Sequence, residues 1–330
     1  MTSATVLAAS PAAVETAAEA LRAGQLVAFP TETVYGLGAD AANANAVRAI
    51  FAAKGRPSDH PLIVHLPDAS HLDAWARRVP DGARALAGAF WPGPLTLILP
   101  RDARVGDVVT GGEDSVGLRV PAHPVAQALL AAFARRGGHG VAAPSANRYG
   151  HVSPTTAQHV ADDLGDRVAL ILDGGPCGVG IESTIVAFDG DRPLLMRPGG
   201  IGVDALARAL GRAPDAPGDD APRASGTHAS HYAPRAAAFL VDAVALVAEV
   251  ERLAERDEVV GVLARTVRRP GEFDGAWIDA PADADDYARE LYANLRRLDA
   301  AHPDAILIEA PPAGAAWLAV RDRLARATHR

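Results

Sequence analysis

Apolar residues in this chain of 330 come in short bursts, and that habit removes most of the architectures open to it. Runs such as Leu95-Thr-Leu-Ile-Leu99 and Ala305-Ile-Leu-Ile308 are far below the roughly 18 residues a membrane-spanning helix needs, so the expectation is a chain without such a span. Bounded by Gly, Pro and Asp, they read instead as short buried strands. Such strands are predicted at 26–30, 61–66, 95–99, 115–120, 141–144, 169–173, 183–188 and 193–197, and helices at 11–23, 46–53, 81–90, 124–135 and 155–164. Thr31 to Gly38 reads as a glycine-punctuated loop. Strands and helices mix without strict βαβ alternation, which predicts an α/β sheet of mixed direction.

The pattern changes once. Residues 211–235 are rich in Pro and Asp and read as a linker, and from 236 to 330 strands and helices do alternate, as in a small Rossmann-like α/β domain. The expected organisation is a first domain over 1–210, a linker over 211–235 and a second domain over 236–330, in line with the usual size of domains. The second domain lacks a Gly-x-Gly-x-x-Gly loop, so nothing in it predicts a dinucleotide site. With 49% hydrophobic and 22% charged residues, extended disorder is excluded. The N-terminal residues lack the basic start and long apolar core of a secretory signal, so the expected compartment is the cytoplasm.

Charge and cysteine narrow the function classes. Residues 1–200 carry 16 Lys and Arg against 19 Asp and Glu, a poor prior for a general nucleic-acid binder, so any anion site must be a focused cleft. Cys177 is the only cysteine, which rules out an internal disulfide and a multi-cysteine metal site. It sits in Gly174-Gly-Pro-Cys-Gly178 and reads as a turn filler. His228 and His231 have no companion ligands at a recognisable metal spacing, so no protein-held metal is expected.

Of the 32 basic residues 31 are arginine, and Lys54 is the one lysine. A chain that uses Arg wherever a cation suffices suggests that position 54 needs the compact ammonium. Lys54-x-Arg56 falls where the helix over 46–53 must stop at Gly55 and Pro57, and a cation pair on such a loop can clamp phosphate oxygens. Ser145-x-Asn147, in Ala143-Pro-Ser-Ala-Asn147, offers a hydroxyl and an amide at a strand end. No Walker A, Gly-x-Ser-x-Gly or His-Glu-x-x-His motif is present. Read alone, each residue has an ordinary alternative: Lys-x-Arg as solvated surface, His65 as a core histidine, Arg119 as a surface arginine, Ser145 and Asn147 as a loop cap.

Taken together the motifs resemble a known family. Thr31-Glu-Thr-Val-Tyr-Gly-Leu, Lys54-Gly-Arg-Pro, Pro61-Leu-Ile-Val-His, Trp91-Pro-Gly-Pro-Leu-Thr, Leu118-Arg-Val-Pro, Ala143-Pro-Ser-Ala-Asn, Ser153-Pro-Thr, Glu182-Ser-Thr-Ile-Val and Arg197-Pro-Gly look like the YrdC-like threonylcarbamoyl-AMP synthases, in order and spacing. His231-Tyr-Ala-Pro234 and the domain after it are similar to the long, two-domain form. The resemblance implies a twisted mixed sheet with flanking helices followed by the Rossmann-like domain. It implies a nucleotidyltransferase that joins L-threonine, bicarbonate and ATP as L-threonylcarbamoyladenylate, releasing pyrophosphate, in the tRNA-processing route to threonylcarbamoyladenosine 37.

The same resemblance implies roles. Lys54, Arg56, Ser145 and Asn147 would be catalytic; His60, Ser153, Arg197 and Tyr232 would join Lys54, Arg56 and Ser145 around ATP. Thr33, His65, Ser115, Arg119, Ala143 and Ser183 would line the threonine pocket. Magnesium would arrive with ATP, downstream transferase proteins would take up the adenylate, and tRNA would be met indirectly, with no membrane partner. Tyr232, on the linker, suggests a lid over the reactive pocket. His60 stands where many relatives carry Asn, and the linker lacks the extra Lys or Arg that many relatives place before His-Tyr-Ala-Pro. Two other classes remain open: a double-stranded RNA or tRNA binding module, and a carbamoyl-adenylate-forming carbamoyltransferase, which usually carries an acylphosphatase-like domain and zinc-finger cysteines not seen here.

Overall fold

The computed structural model describes residues 4–226 and 231–329; His228 lies outside them. The chain divides into two units, one of residues 1–149 and 154–227, the other of 150–153 and 228–330.

The first unit is built on a ten-stranded sheet. Its strands are β1 (Thr5–Ala8), β2 (Val27–Phe29), β3 (Gly36–Asp40), β4 (Ile63–His65), β5 (Leu95–Pro100), β6 (Ser115–Arg119), β7 (Val141–Ala142), β8 (Leu170–Asp173), β9 (Thr184–Asp189) and β10 (Arg192–Arg197), in the order β1-β8-β2-β3-β7-β4-β6-β5-β9-β10. Parallel pairs such as β4 with β6 alternate with antiparallel ones such as β5 with β6, the mixed sheet expected from the sequence.

The two faces are covered differently. On one face the helices Ala44–Lys54, Asp81–Phe90 and Ala157–Leu164 bury Ile50, Leu86 and Val160 against Leu37, Val64, Leu97 and Leu118. On the other face the helices Pro11–Arg22 and Pro124–Arg135 bury Leu21, Leu129 and Phe133 against Val27, Phe29, Val141 and Leu172. That helix pair covers only the β1 to β7 end. Farther along this face Ile98, Ile185, Ala187 and Leu194 pack with Ala224, so residues 221–226 take the place of a helix there. The stretch expected to begin a linker is thus packed into the first unit, and Asp215 bridges to Leu194.

One expectation is corrected. Residues 36–38, read as the end of a glycine loop, open β3, which runs from Gly36 to Asp40. Glycine is depleted from strands in general, but here contact demands it: a Cβ at Gly38 would lie 2.8 Å from the Phe29 ring and 2.9 Å from Val141 Cγ1. Gly38→Ala is therefore expected to lower unfolding stability by about 2 kcal/mol through overpacking, as read from denaturant melts; an unchanged melt would remove this explanation of the glycine.

The second unit has a four-stranded, all-parallel sheet of β11 (Ala237–Val241), β12 (Val260–Ala264), β13 (Ala276–Asp279) and β14 (Ala305–Glu309), ordered β11-β14-β12-β13. Helix Leu246–Ala254 packs on Val262 and Leu307, while Leu298 of helix Ala284–Ala300 meets Gly261, whose alternate position faces the other side. Among the described residues no helix is long and apolar enough to cross a membrane.

Candidate active site

The Lys54 loop and the Ser145 turn are brought together by one side chain. Helix Ala44–Lys54 starts on Asn43, whose side chain accepts from Asn45 N and Ala46 N, and ends at Gly55, which holds φ 64°. A left-handed residue at that position is what lets the chain leave the helix, and Gly adopts it without a Cβ penalty. Arg56 N then bonds Phe51 O at 3.0 Å, and Lys54 is left facing inward, 3% exposed. Its Nζ donates to Ser145 O at 2.6 Å and Asn147 O at 2.5 Å. Burial, and then the Arg56 charge, pull its pKa well below the ordinary lysine range.

Arg56 is buried as well. Its Nη2 donates to Pro61 O at 3.0 Å and to Ser225 Oγ at 3.4 Å, and its guanidinium lies over the Tyr149 ring, 5.9 Å from the centroid. His60 meets the same ring edge-on at 5.4 Å. Tyr149 was not singled out from the sequence, although an aromatic two residues past Asn147 was a readable signal.

Of the residues expected around the amino acid, His65, Ser115 and Arg119 share one side of the sheet, while Ala143 packs with the helix pair. Strand registers set this: Ile63 pairs with Gly117 and His65 with Arg119, while Ile98 pairs with Gly117 and Thr96 with Ile185. Since alternate residues point to one side, Ser115, Gly117 and Arg119 line up with Ile63 and His65. A small cavity on this face is lined by Ile63, Thr96, Ser115, Gly117, Ile185 and Ser225.

Polar partners hold that face in place. Arg119 Nη2 donates to Glu32 Oε1 at 2.6 Å and Nε to Gly93 O at 3.4 Å, with Arg119 itself 4% exposed. The other Glu32 oxygen accepts from Ala122 N at 2.9 Å. Ser183 Oγ lies 2.8 Å from Thr96 Oγ1, and Arg197 wraps the same serine, donating from Nε (3.2 Å) and Nη2 (3.0 Å) to its carbonyl. Arg197 Nη1 donates to Ser225 O at 2.7 Å, so an arginine expected at ATP and a serine expected at threonine are neighbours. Thr33 is fully buried, its Oγ1 2.8 Å from Thr31 Oγ1, and Ala143 N bonds Ile63 O. Glu32 and Thr96 are contributors the sequence reading passed over; both stand inside motifs it had quoted.

His65 is buried, edge-on to Phe29, and burial followed by the Arg119 charge holds its pKa down to about 3. It is a neutral hydrogen-bonding group at physiological pH. The unfolded chain binds a proton near the ordinary value of 6.5 that the folded one refuses, so stability must fall as pH drops from 6.5 toward 3. At pH 5 the loss is about 2 kcal/mol, and His65→Gln should flatten that part of the stability profile relative to the parent; parallel profiles would mean that His65 is not the titrating group.

Cys177, close enough to Glu32 and Arg119 to feel both charges, is buried and its thiol is pushed up to about 12. It is unsuited to nucleophilic work. Two other expected residues belong to the second unit. The Ser153 carbonyl accepts from Arg296 Nε at 3.4 Å, and Tyr232, at φ 63°, stacks on Tyr292 at 5.7 Å beneath the Arg323 guanidinium at 5.3 Å. Among the described residues no three His, Cys, Asp or Glu side chains gather where they could hold a metal.

A mixed α/β sheet that seats Lys54 and Arg56 beside the Ser145 turn, Arg119 beside Glu32 and Arg197 beside Ser183 offers the fixed cations and oriented donors that small anionic substrates require. The family comparison agrees and is sharper. Residues 19–199 match a family model described as "Telomere recombination", and residues 201–328 one described as "Threonylcarbamoyl-AMP synthase, C-terminal domain". Relatives named threonylcarbamoyl-AMP synthase are 40% identical in Pyrococcus abyssi, over 94% of this chain and 93% of that one, and 41% identical in Bacillus subtilis, over 94% and 91%. A crystal structure of P. abyssi Sua5 complexed with L-threonine superposes with a TM-score of 0.90 at 36% identity, covering 99% of this chain and 98% of that one. The chain belongs to the threonylcarbamoyl-AMP synthase family.

Proposed function

We propose that the first unit makes L-threonylcarbamoyladenylate and pyrophosphate from L-threonine, bicarbonate and ATP. The observation that carries the reading is the Lys54 ammonium joined to the carbonyls of Ser145 and Asn147. It fixes a cation and a polar turn at one point, beside Arg56. An ammonium has three donors, and two are used by those carbonyls, which leaves one for a phosphate oxygen.

The chemistry needs what the site offers. The threonine amine and bicarbonate give a carbamate with loss of water; a carbamate oxygen then attacks the α-phosphorus of ATP, the bond from that phosphorus to the α,β-bridging oxygen breaks, and pyrophosphate leaves. Both reactants are anions, so fixed cations and oriented donors must offset their repulsion. Lys54, Arg56 and Arg197 are assigned to the nucleotide, with Ser145, Asn147 and His60 around it. Arg119, oriented by Glu32, is assigned to the threonine carboxylate through the rest of its planar fork. Thr33, His65, Ser115, Ser183 and the Ala143 backbone surround the amino acid, and neutral His65 adds a hydrogen bond without adding charge.

Magnesium would travel on the phosphates with water, which suits a site whose donors are cations and hydroxyls. Ser153 and Tyr232 are assigned to ATP on the family pattern, and Tyr232→Ala with the ATP KM as readout tests that assignment. A labile adenylate implies a downstream transferase that carries the group to tRNA, and a cytoplasmic location fits this supply. Pyrophosphate release is the direct test: with ATP and bicarbonate it should require L-threonine and fall with L-serine or no amino acid. ATP turnover indifferent to threonine would move the substrate assignment elsewhere.

A further inference from the structure

The two cations assigned to the nucleotide sit two residues apart, and like charges that close repel; the Arg56 charge is one of the causes that lower the Lys54 pKa. Arg56 must therefore be held in place. Its Nη2 donates to Pro61 O at 3.0 Å, and its guanidinium carbon lies 5.9 Å from the centroid of the Tyr149 ring, within reach of a cation–π contact. Neither a carbonyl nor a ring face carries a formal charge, so both orient the guanidinium without neutralising it as a carboxylate would.

Tyr149 is set in position by the same cations. Its backbone N–H donates to Lys54 O at 2.9 Å, while the Lys54 ammonium, reaching the other way, donates to the carbonyls of Ser145 and Asn147. The basic loop and the 145–149 turn are thus joined through both the backbone and the side chain of one lysine. Asn147 Nδ2 donates to Arg148 O at 2.8 Å within that turn, and the His60 ring packs against Tyr149 at 5.4 Å and 60°. Burial, only partly opposed by the Arg56 charge, raises the Tyr149 pKa, so the phenol is neutral at physiological pH and its ring offers an ordinary electron-rich face.

We propose that Tyr149 is a positioning residue for the nucleotide: its ring sets the Arg56 guanidinium and its backbone ties that arrangement to Lys54, so that the two cations stand as a preformed pair before ATP arrives. The inference rests on the assignment of Lys54 and Arg56 to ATP. Arginine is among the side chains with most rotamer freedom to lose, and a guanidinium already set loses less of it on gripping a phosphate oxygen. Tyr149 acts through Arg56, so its effect falls on ATP affinity and spares threonine.

Titration calorimetry with ATP and steady-state pyrophosphate release, on Tyr149→Phe, Tyr149→Leu and Tyr149→Met, test this role, with the folded fraction of each variant taken from its melt. Tyr149→Phe keeps the ring face and should match the parent to within about twofold. Tyr149→Leu and Tyr149→Met remove the face, and the ATP Kd and KM should rise about tenfold with kcat and the threonine KM nearly unchanged. In an Arg56→Met background the Tyr149→Leu change should cost less than about twofold, because the group through which the ring acts is gone. A loss of equal size in both backgrounds overturns the role, as does a Tyr149→Phe enzyme as weak for ATP as Tyr149→Leu. A parent that binds no ATP removes the nucleotide assignment and the positioning role with it. A parent that binds ATP no better than the ring-free variants leaves the assignment standing and removes the role alone.

Discussion

Replacing Lys54 with methionine should reduce threonine-dependent pyrophosphate release by about a thousandfold, the effect of removing a preorganised donor from a developing anionic transition state. The fold should survive. Methionine fills a similar volume, and two opposing effects on stability nearly cancel. The Asn147 carbonyl, on a residue 1% exposed, loses a donor, while the cost of burying an ammonium that burial and Arg56 already disfavour is removed. The expected change in unfolding free energy is within about 1 kcal/mol. ATP binding supplies a second signature. Polyphosphate oxygens beside Lys54 favour its charged form, so ATP should bind more weakly to Lys54→Met than to the parent, as read by titration calorimetry. A variant that unfolds yet keeps its turnover per folded molecule would make Lys54 a structural clamp on the Ser145 turn and nothing more.

Arg119→Ala should be costly in two separable ways. Glu32 would keep only its bond from Ala122 N while its side chain stays 13% exposed, and breaking one partner from such a buried pair destabilises by about 3 kcal/mol. Threonine affinity should fall as well, with KM raised about a hundredfold, because a bidentate grip on a carboxylate is lost. The double variant Glu32→Gln, Arg119→Met separates these effects: it should regain most of the stability and none of the threonine affinity. Recovery of both would show that Arg119 only holds Glu32 and the Thr31 to Thr33 turn.

These results would bear on residues of unequal legibility. The strands that flank the site were readable because their apolar bursts are short and bounded: 95–99 was expected and Leu95–Pro100 observed, and 115–120 became Ser115–Arg119. Strand β3 was not, because its glycines are dictated by Phe29 and Val141, which approach from distant parts of the sequence. Sheet order hides in the same way. Nothing local announces that β4 lies between β7 and β6, and that order is what sets His65 beside Arg119.

The site divides likewise. Lys54 stood out as the lone lysine, and Arg56, Ser145 and Asn147 by motif. Their joining through Nζ and two backbone carbonyls could not be read, since carbonyls carry no sequence signal. Glu32 and Tyr149 were visible as residue types but acquire meaning only from the cations they face. Arg223 lies in a stretch whose Pro and Asp content looked like linker, yet the chain there is fastened by contacts with residues more than a hundred positions earlier in sequence.

The central claim is that this site joins threonine, through its carbamate, to AMP. Incubating the protein with ATP, L-threonine and [13C]bicarbonate and analysing the products by mass spectrometry tests it most directly. A threonylcarbamoyl-AMP ion heavier by one mass unit than the product from unlabelled bicarbonate, and absent with Lys54→Met, is the predicted result. Threonyl-AMP without the labelled carbon, or AMP and pyrophosphate with no threonine adduct while the protein is folded and binds ATP, would contradict it.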